Sequence, residues 1–437
     1  MAFWNKRRGG PRSNEMGAGG DASAAAEDLS ADQGSRGLPS FQESVGGATR
    51  STRSDPLRAR MRTAFTPSQP VSDVRMFAGR HDLLRSIIRA IEDQHLHVVL
   101  FGDRGIGKTS TLHVLSELAG KAGYVVRYTS SGESSSFDEI FRSVLADVPL
   151  LYHADFDPAL GSAEGQDTLA SILPPHPLTV ADVTRIMGKL TATRLLIILD
   201  EFDRCESEQF RRSIAELVKN LSDRSLPVQL VIGGVAANLS ELIEYLPSIR
   251  RNILGLPMPS MTTGELKEIV AIGSAVSGLP YEAEAVEQIA ESANGSPYLG
   301  SLLGQHAGIA ALDRGAEEVS RRDVQAAIAL ALREMELRIS PESLRAIRGV
   351  TDAALQATLA TLAREALTTL GRVETPELAA HRVAIDRPNL DRLEREHGVI
   401  ERTTAGGVEA YRFRDQSAPL LVWLQKLQAD VAPEGRG

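Results

Sequence analysis

The run GDRGIGKTS, Gly102 to Ser110, follows the apolar stretch His97-VVLF, and its reading decides the fold. The spacing is Gly102-x-x-x-x-Gly107-Lys108-Thr109, with Asp103, Arg104, Gly105 and Ile106 between the outer glycines and Ser110 after them. Glycines let backbone N–H groups turn inward around phosphate oxygens, and a helix starting behind them offers its positive N-terminus to the same anion. The nine residues Gly102 to Ser110 are therefore candidates for a phosphate cradle. Lys108 is expected to reach the outer phosphates, and the Thr109 hydroxyl to join a magnesium shell. The flanks fit: His97-VVLF reads as a strand and Thr109 to Ala119 as a helix.

A phosphate loop of this kind needs an acid at the end of a second buried strand. LLIIL, 195 to 199, followed by Asp200 and Glu201, supplies one. Asp200 is expected to hold magnesium through water, and Glu201 to orient or deprotonate the water that attacks the γ-phosphate. The plainer alternative for the pair is a helix cap and a solvated acid. Asp203 and Arg204 read as surface or interface residues. The strand Val228-QLVIGGVA has Gly233 and Gly234 where a polar γ-phosphate sensor is expected, so no sensor is assigned. Arg250 and Arg251 follow a helix predicted over 239–246; they read either as an arginine finger for a neighbouring subunit's site or as a solvated pair.

Outward from these motifs, strands alternate with helices from about residue 70 to Pro257, which argues for a parallel sheet covered on both faces. The strands are predicted at 97–101, 124–129, 195–199 and 228–232. The 33 residues after Leu145 read as a surface insertion near the nucleotide. Beyond Pro257 four helical patterns, Thr263 to Ser274, Ala283 to Glu291, Tyr298 to Leu312 and Ser320 to Ile339, make a compact helical unit, and Ser320 followed by Asp323 resembles a capping box. Next come helical patterns at 353–370, 375–384 and 388–397, and then VIERTTAGGVEAYRF, a hairpin around Ala405-Gly406-Gly407. Three helices closed by a hairpin is a winged-helix pattern. The expected fold is thus a three-layer α/β P-loop core (66–258), a helical lid (259–339), a winged-helix-like domain (340–430) and a tail (431–437). Residues 1–65, poor in large apolar side chains, read as a disordered arm with a basic end at Arg50, Arg53, Arg58, Arg60 and Arg62.

Composition bounds the rest. The 437 residues carry 48 Lys and Arg against 57 Asp and Glu, so nucleic-acid binding would need a local basic surface. The C-terminal 97 residues, 341–437, carry 13 basic and 14 acidic side chains, and the hairpin has no basic tip. Arg382, Arg387, Arg392 and Arg395 gather around the third helix, and Arg387, Arg392 and Arg395 are the candidate phosphate contacts with DNA. The alternative pairs them with Asp391, Glu394 and Glu396 as helix-surface charges. A single cysteine, Cys205, excludes an intrachain disulfide and a cysteine zinc cluster. No stretch approaches the ~20 apolar residues of a membrane span, and MAFWNKRRGG has no signal-peptide core, so a cytoplasmic location and no membrane partner are expected.

The order Phe77-Ala-Gly79-Arg80, GDRGIGKTS, LLIILDEFD, LPSIRR and NGSPYLG resembles the AAA+ ATPases of the origin-recognition and helicase-loader type and related bacterial transposition, defence and signalling ATPases, over about residues 71–335. The resemblance implies ATP and Mg2+ as ligands, with Phe77, Gly79 and Arg80 beside the adenine. It also implies Lys108, Glu201 and Arg250 or Arg251 in hydrolysis, the arginines acting across subunits of a homo-oligomer. Replication initiators carry an arginine at the start of a lid helix. This chain reads Gly295-Ser296-Pro297-Tyr298 instead, which looks more like the lid motif of signalling ATPases, where the proline contacts nucleotide. Two functions follow as expectations. One is an ATPase driving assembly or conformational change on double-stranded DNA; the other is a slow nucleotide-gated switch that binds a protein partner.

Overall fold

A computed structural model describes residues 56–102, 105–156, 167–234, 247–369, 371–374, 387–405 and 408–431. Asp103, Arg104, the helices expected over 239–246 and 375–384, Arg382 and the first 55 residues of the arm lie outside the described residues.

β1 (His97–Phe101), β2 (Val125–Ser130), β3 (Leu195–Asp200), β4 (Val228–Gly234) and β5 (Ile253–Pro257) form one sheet in the order β2-β3-β4-β1-β5. All neighbouring pairs are parallel. β3 is buried at every position, which is why it reads as an unbroken apolar run. Parallel neighbours require crossovers; the helices of this part are α2 (His81–Glu92), α3 (Lys108–Lys121), α4 (Phe137–Ala146), α5 (Val180–Met187) and α6 (Glu208–Asp223), with α1 (Pro56–Ala64) before them. Phe141, Ile186, Phe210 and Leu217 from α4 to α6 pack in one buried cluster, and Ile87, Leu112 and Leu115 from α2 and α3 in another. These are the three expected layers.

Three sequence expectations change here. β5, ILGLP, is a strand beyond the four predicted; its Gly and Pro argue against a strand, yet both are tolerated at the sheet edge it occupies. The segment after α4 packs on the core through Val148, Leu169 and Leu178, all buried, and none of its described residues lines the cavity that opens beside the glycine loop. The last ten residues assigned to the arm are also corrected. Residues 56–64 form α1, and Met61 and Phe65 are buried in the lid's core. Seven of the nine residues of α1 are polar, small or proline, so sequence periodicity does not reveal its buried face.

The lid comprises α7 (Thr263–Ser277), α8 (Ala283–Ala293), α9 (Pro297–Asp313) and α10 (Arg321–Arg338), with α10 opened by the expected Ser320/Asp323 capping box. Then follow α11 (Pro341–Arg348), α12 (Ala353–Ala366), β6 (Arg372–Glu374), α13 (Arg387–Arg395), β7 (Ile400–Ala405), β8 (Val408–Phe413) and α14 (Ala418–Val431). β7 and β8 pair antiparallel as the expected hairpin, and β6 joins β8 as a third strand, so the domain resembles a winged helix. α11, β6 and α14 are additions to the sequence reading.

The lid and this C-terminal domain share one continuous buried cluster with α1. Met258 belongs to the α2/α3 cluster, and Met261 to the lid cluster. The short segment between them, flanked by Pro257 and containing Pro259, is where the chain passes from one packed unit to the other.

Candidate functional site

A cavity of about 940 Å3 opens at the C-terminal ends of β1 and β3, between the core and the lid. β4 lies between those two strands in the sheet, so the phosphate loop after β1 and the acids after β3 face each other across it. Ligands in open parallel sheets bind at this edge.

The phosphate loop begins at Gly102, whose N–H donates to Gly234 O at 3.3 Å. Gly107 has φ 97°, a conformation that favours glycine, and hands the chain to α3. Lys108 Nζ donates to Gly102 O at 2.6 Å, folding the ammonium over the loop. Gly105, Gly107, Lys108, Thr109 and Ser110 line the cavity, whereas Ile106 is buried beneath it.

Asp200 is 2% exposed and is the hub of the site. Its Oδ2 accepts from Thr109 Oγ1 at 2.8 Å and from Tyr128 Oη at 2.7 Å; its Oδ1 accepts from Glu201 N at 2.8 Å. A threonine hydroxyl beside a carboxylate is the hard-oxygen donor set of a magnesium site that phosphate oxygens and water complete. Among the described residues no group of three or more His, Cys, Asp or Glu side chains is arranged to hold a metal. Tyr128 was not foreseen. It stands on β2, stacks on His113 with ring centroids 4.5 Å apart, and burial together with the Asp200 carboxylate pushes its hydroxyl well above the ordinary tyrosine range. Its role depends on β2 lying beside β3, which no local signal specifies.

The missing sensor on β4 has a steric explanation. A Cβ at Gly233 would stand 2.8 Å from Asp200 Oδ1 and 2.7 Å from Leu112 Cδ1. The space that a sensor's first carbon requires is taken by the Asp200 carboxylate.

Glu201 lines the cavity with φ 52°, a left-handed backbone that costs about 1–3 kcal/mol and recurs at functional sites. Its carboxylate accepts from Arg204 at 2.8 Å, and this bond raises the arginine's pKa. Asp203 and Arg204, read as surface or interface residues, both line the cavity, Arg204 from an exposed position. The turn that follows β3 brings them back over the site.

Phe77, Arg80 and Pro297 also line the cavity, but Gly79 does not. The Gly79 N–H donates to Glu268 Oε2 at 2.9 Å and the Arg80 N–H to Glu265 Oε1 at 2.6 Å, binding this stretch to α7 of the lid. Arg80 has φ 56° and is 7% exposed. Its guanidinium donates to Pro259 O at 3.1 Å and packs over the phosphate loop, 2.7 Å from where a Gly107 Cβ would be. Its Nε is buried without a partner, and burial lowers its pKa to about 10. Pro297, at the first turn of α9, reaches the same place, 3.6 Å from that Cβ position. Arg80 and Pro297 thus meet at the phosphate loop, one from the core's entry and one from the lid.

Arg250 and Arg251 are exposed on the turn before β5 and do not line their own chain's cavity. On the C-terminal domain, Arg387 pairs with Glu409 at 3.4 Å, and Arg392 with Asp352 and Glu396, each at 3.3 Å. Arg395 is exposed. Asp391 and Glu394 are engaged by Arg402 of β7.

A glycine phosphate loop between a buried strand and a helix, a magnesium-type donor pair and a five-stranded parallel sheet under a helical lid define a P-loop NTPase of the AAA+ type. The family model for novel STAND NTPase 1 matches residues 64–307, more than half of the chain, and the chain belongs to that family. No curated protein matches it. Among solved structures it is similar to the Aeropyrum pernix ORC1 protein in complex with DNA, at 15% identity over 86% of this chain and 97% of that one, TM-score 0.44. It is similar to Cdc6p from Pyrobaculum aerophilum at 15% identity over 85% and 98%, TM-score 0.45. Similarity to the Thermotoga maritima RuvB Holliday junction branch migration motor is 18% over 78% and 94%, TM-score 0.41. Among the described residues no helix is long and apolar enough to cross a membrane.

Proposed function

We propose that this chain is a nucleotide-gated switch: it binds ATP with magnesium, hydrolyses it slowly, and signals to a protein partner through the joint position of its lid and C-terminal domain. The observation that carries this reading is a chain of contacts. Pro297 of the lid stands over the phosphate loop, 3.6 Å from where a Gly107 Cβ would be, and the residues around Pro297 hold the C-terminal domain. Asn294 Nδ2 donates to Arg364 O at 2.8 Å, Ser260 Oγ to Thr368 O at 3.1 Å, and Trp423 Nε1 to Ser292 O at 2.8 Å. With one buried core running through both units, nucleotide that moves Pro297 moves the C-terminal domain with it. Membership of a STAND-type signalling NTPase family supports the same reading.

In this proposal Lys108 and the loop amides hold the phosphates, and Thr109 and Asp200 hold the magnesium ion, which neutralises phosphate charge when bound. Catalysis then rests on placement and electrostatics. Glu201 receives the proton of the attacking water once its carboxylate leaves Arg204. Arg250 or Arg251 completes a neighbour's site if copies assemble. The DNA-directed reading draws less support, because Arg387 and Arg392 already have carboxylate partners and the domain's overall charge is close to neutral.

The test measures turnover, nucleotide retention and particle size together, with and without duplex DNA, for the wild type and Glu201→Gln. The switch predicts slow turnover, ADP retained through purification, and no response to DNA at low salt. Fast turnover that rises with DNA, and DNA binding lost on replacing Arg387, Arg392 and Arg395, would overturn it.

A further inference from the structure

Residues 56–74 join the two packed units by a second route, separate in the chain from the connection over 257–261. Met61 and Phe65 are 0% and 1% exposed within the lid cluster. Their seats are made by glycines. A Cβ at Gly273 of α7 would overlap the Phe65 ring, one at Gly304 of α9 would stand 2.5 Å from it, and one at Gly308 would overlap the Met61 methyl. Gln305 Nε2 donates to Phe65 O at 2.6 Å, and the Tyr281 ring lies 6.1 Å from the Phe65 ring.

The other end is fixed to the phosphate-loop helix. Val71 N–H donates to Ser110 Oγ and Val74 N–H to Glu117 Oε2, each at 3.1 Å, and both acceptors belong to α3. The residues in between, Thr66 to Val71, line the nucleotide cavity. Pro67 and Pro70 fix two of their φ angles, and a Gln69 N–H to Thr66 O bond of 3.1 Å closes a turn, so the span has little slack. A lid anchored this way cannot swing far from α3 while Phe65 stays seated.

We propose that Phe65 is a positioning residue for the bound nucleotide: seated between α7 and α9, it holds the strap Thr66–Val71 across the cavity and sets the rate at which nucleotide leaves. Release then requires either withdrawal of Phe65 from its glycine seat or detachment of Val71 from Ser110. The inference rests on the switch reading above for its biological meaning, since a retained nucleotide is what a switch needs. It adds a latch whose plug, Phe65, and glycine seat lie outside the nucleotide motifs of the chain.

The experiment follows release of mant-ADP with magnesium from the full-length protein by stopped flow. Phe65→Ala and Gly273→Ala remove the plug from opposite sides, and each is expected to speed release at least ten-fold. Phe65→Leu, which refills most of the seat, is expected to restore most of the wild-type rate. The double variant Phe65→Ala/Gly273→Ala is expected to be no faster than Phe65→Ala alone, because both substitutions abolish one step. Val71→Pro, which removes the N–H given to Ser110 at a position outside the lid core, is expected to speed release three-fold or more. Rates within two-fold of wild type in Val71→Pro or in a folded Phe65→Ala protein would overturn the proposal, as would speed-ups that multiply in the double variant. Rapid ADP loss from the wild type would sink the switch reading, while the ratios between variants would still test the latch.

Discussion

Gly233→Ala probes the center of the site with a single methyl group. At the strand position it occupies, alanine is an ordinary residue, and by restricting the unfolded chain it would on its own stabilise the protein by about 0.4–1 kcal/mol. The structure opposes that gain. The new methyl would stand 2.7 Å from Leu112 Cδ1 and 2.8 Å from Asp200 Oδ1, both closer than ordinary contact. Leu112 is 0% exposed and cannot retreat without disturbing the packing of α3, and overpacking of this kind costs about 1–3 kcal/mol. Asp200 can yield only by disturbing its bonds from Thr109, Tyr128 and the Glu201 amide, where hydrogen bonds to a charged group are worth about 1.5–3 kcal/mol each. A net destabilisation of about 2 kcal/mol is expected in urea unfolding. Magnesium-dependent mant-ADP affinity should fall ten-fold or more, about 1.4 kcal/mol. Gly234→Ala is the control: its methyl would meet nothing nearer than Asp203 Oδ1 at 3.4 Å, so its cost should stay below about 1 kcal/mol. Wild-type stability and undiminished magnesium dependence in Gly233→Ala, or equal damage from Gly234→Ala, would refute the reasoning.

Other substitutions separate the remaining roles. Lys108→Ala should weaken nucleotide binding at least a hundred-fold in equilibrium titration, because the only lysine of the cradle is lost. Tyr128→Phe removes one of two hydroxyl donors to Asp200 Oδ2, and isothermal titration should show about a ten-fold loss of magnesium affinity with nucleotide affinity in EDTA little changed. Arg204→Gln frees the Glu201 carboxylate from a half-exposed pair worth at most about 1 kcal/mol, so steady-state turnover should rise by no more than about five-fold, and a collapse of turnover would instead make Arg204 a participant. His97 is buried, its Nδ1 accepting from Leu230 N–H at 3.0 Å and its Nε2 facing Ser222 Oγ at 3.2 Å, and burial lowers its pKa to about 4. The unfolded chain binds that proton near pH 6.5, so its contribution is complete above pH 6.5 and is lost as the pH falls toward 4, by up to about 3 kcal/mol. Denaturant midpoints of His97→Asn should therefore show a flatter acid limb than the wild type between pH 6.5 and 4.

What the sequence determined by itself is the chemistry of consecutive residues. GDRGIGKTS fixes a phosphate loop because its glycines, lysine and threonine act within one turn of chain, and LLIILDE fixes a buried strand ending in acid for the same reason. The capping box at Ser320 and the hairpin at 399–413 were legible on the same local grounds. What only the tertiary structure decided involves residues far apart in the chain. Tyr128 meets Asp200 because β2 lies beside β3, and Gly233 stays glycine because the Asp200 carboxylate fills its side-chain space. Asp203 and Arg204 enter the cavity because the turn after β3 folds back over it. Arg387 and Arg392, offered for DNA by their spacing, have carboxylate partners in the folded chain, including Glu409 and Asp352 at 22 and 40 residues' remove. The end of the presumed arm is the clearest case: composition reports too few apolar residues for a core, yet two of them suffice when three glycines on other helices leave room for them. Backbone chemistry is encoded in short runs and can be read from them, whereas a socket is made by what distant residues leave empty.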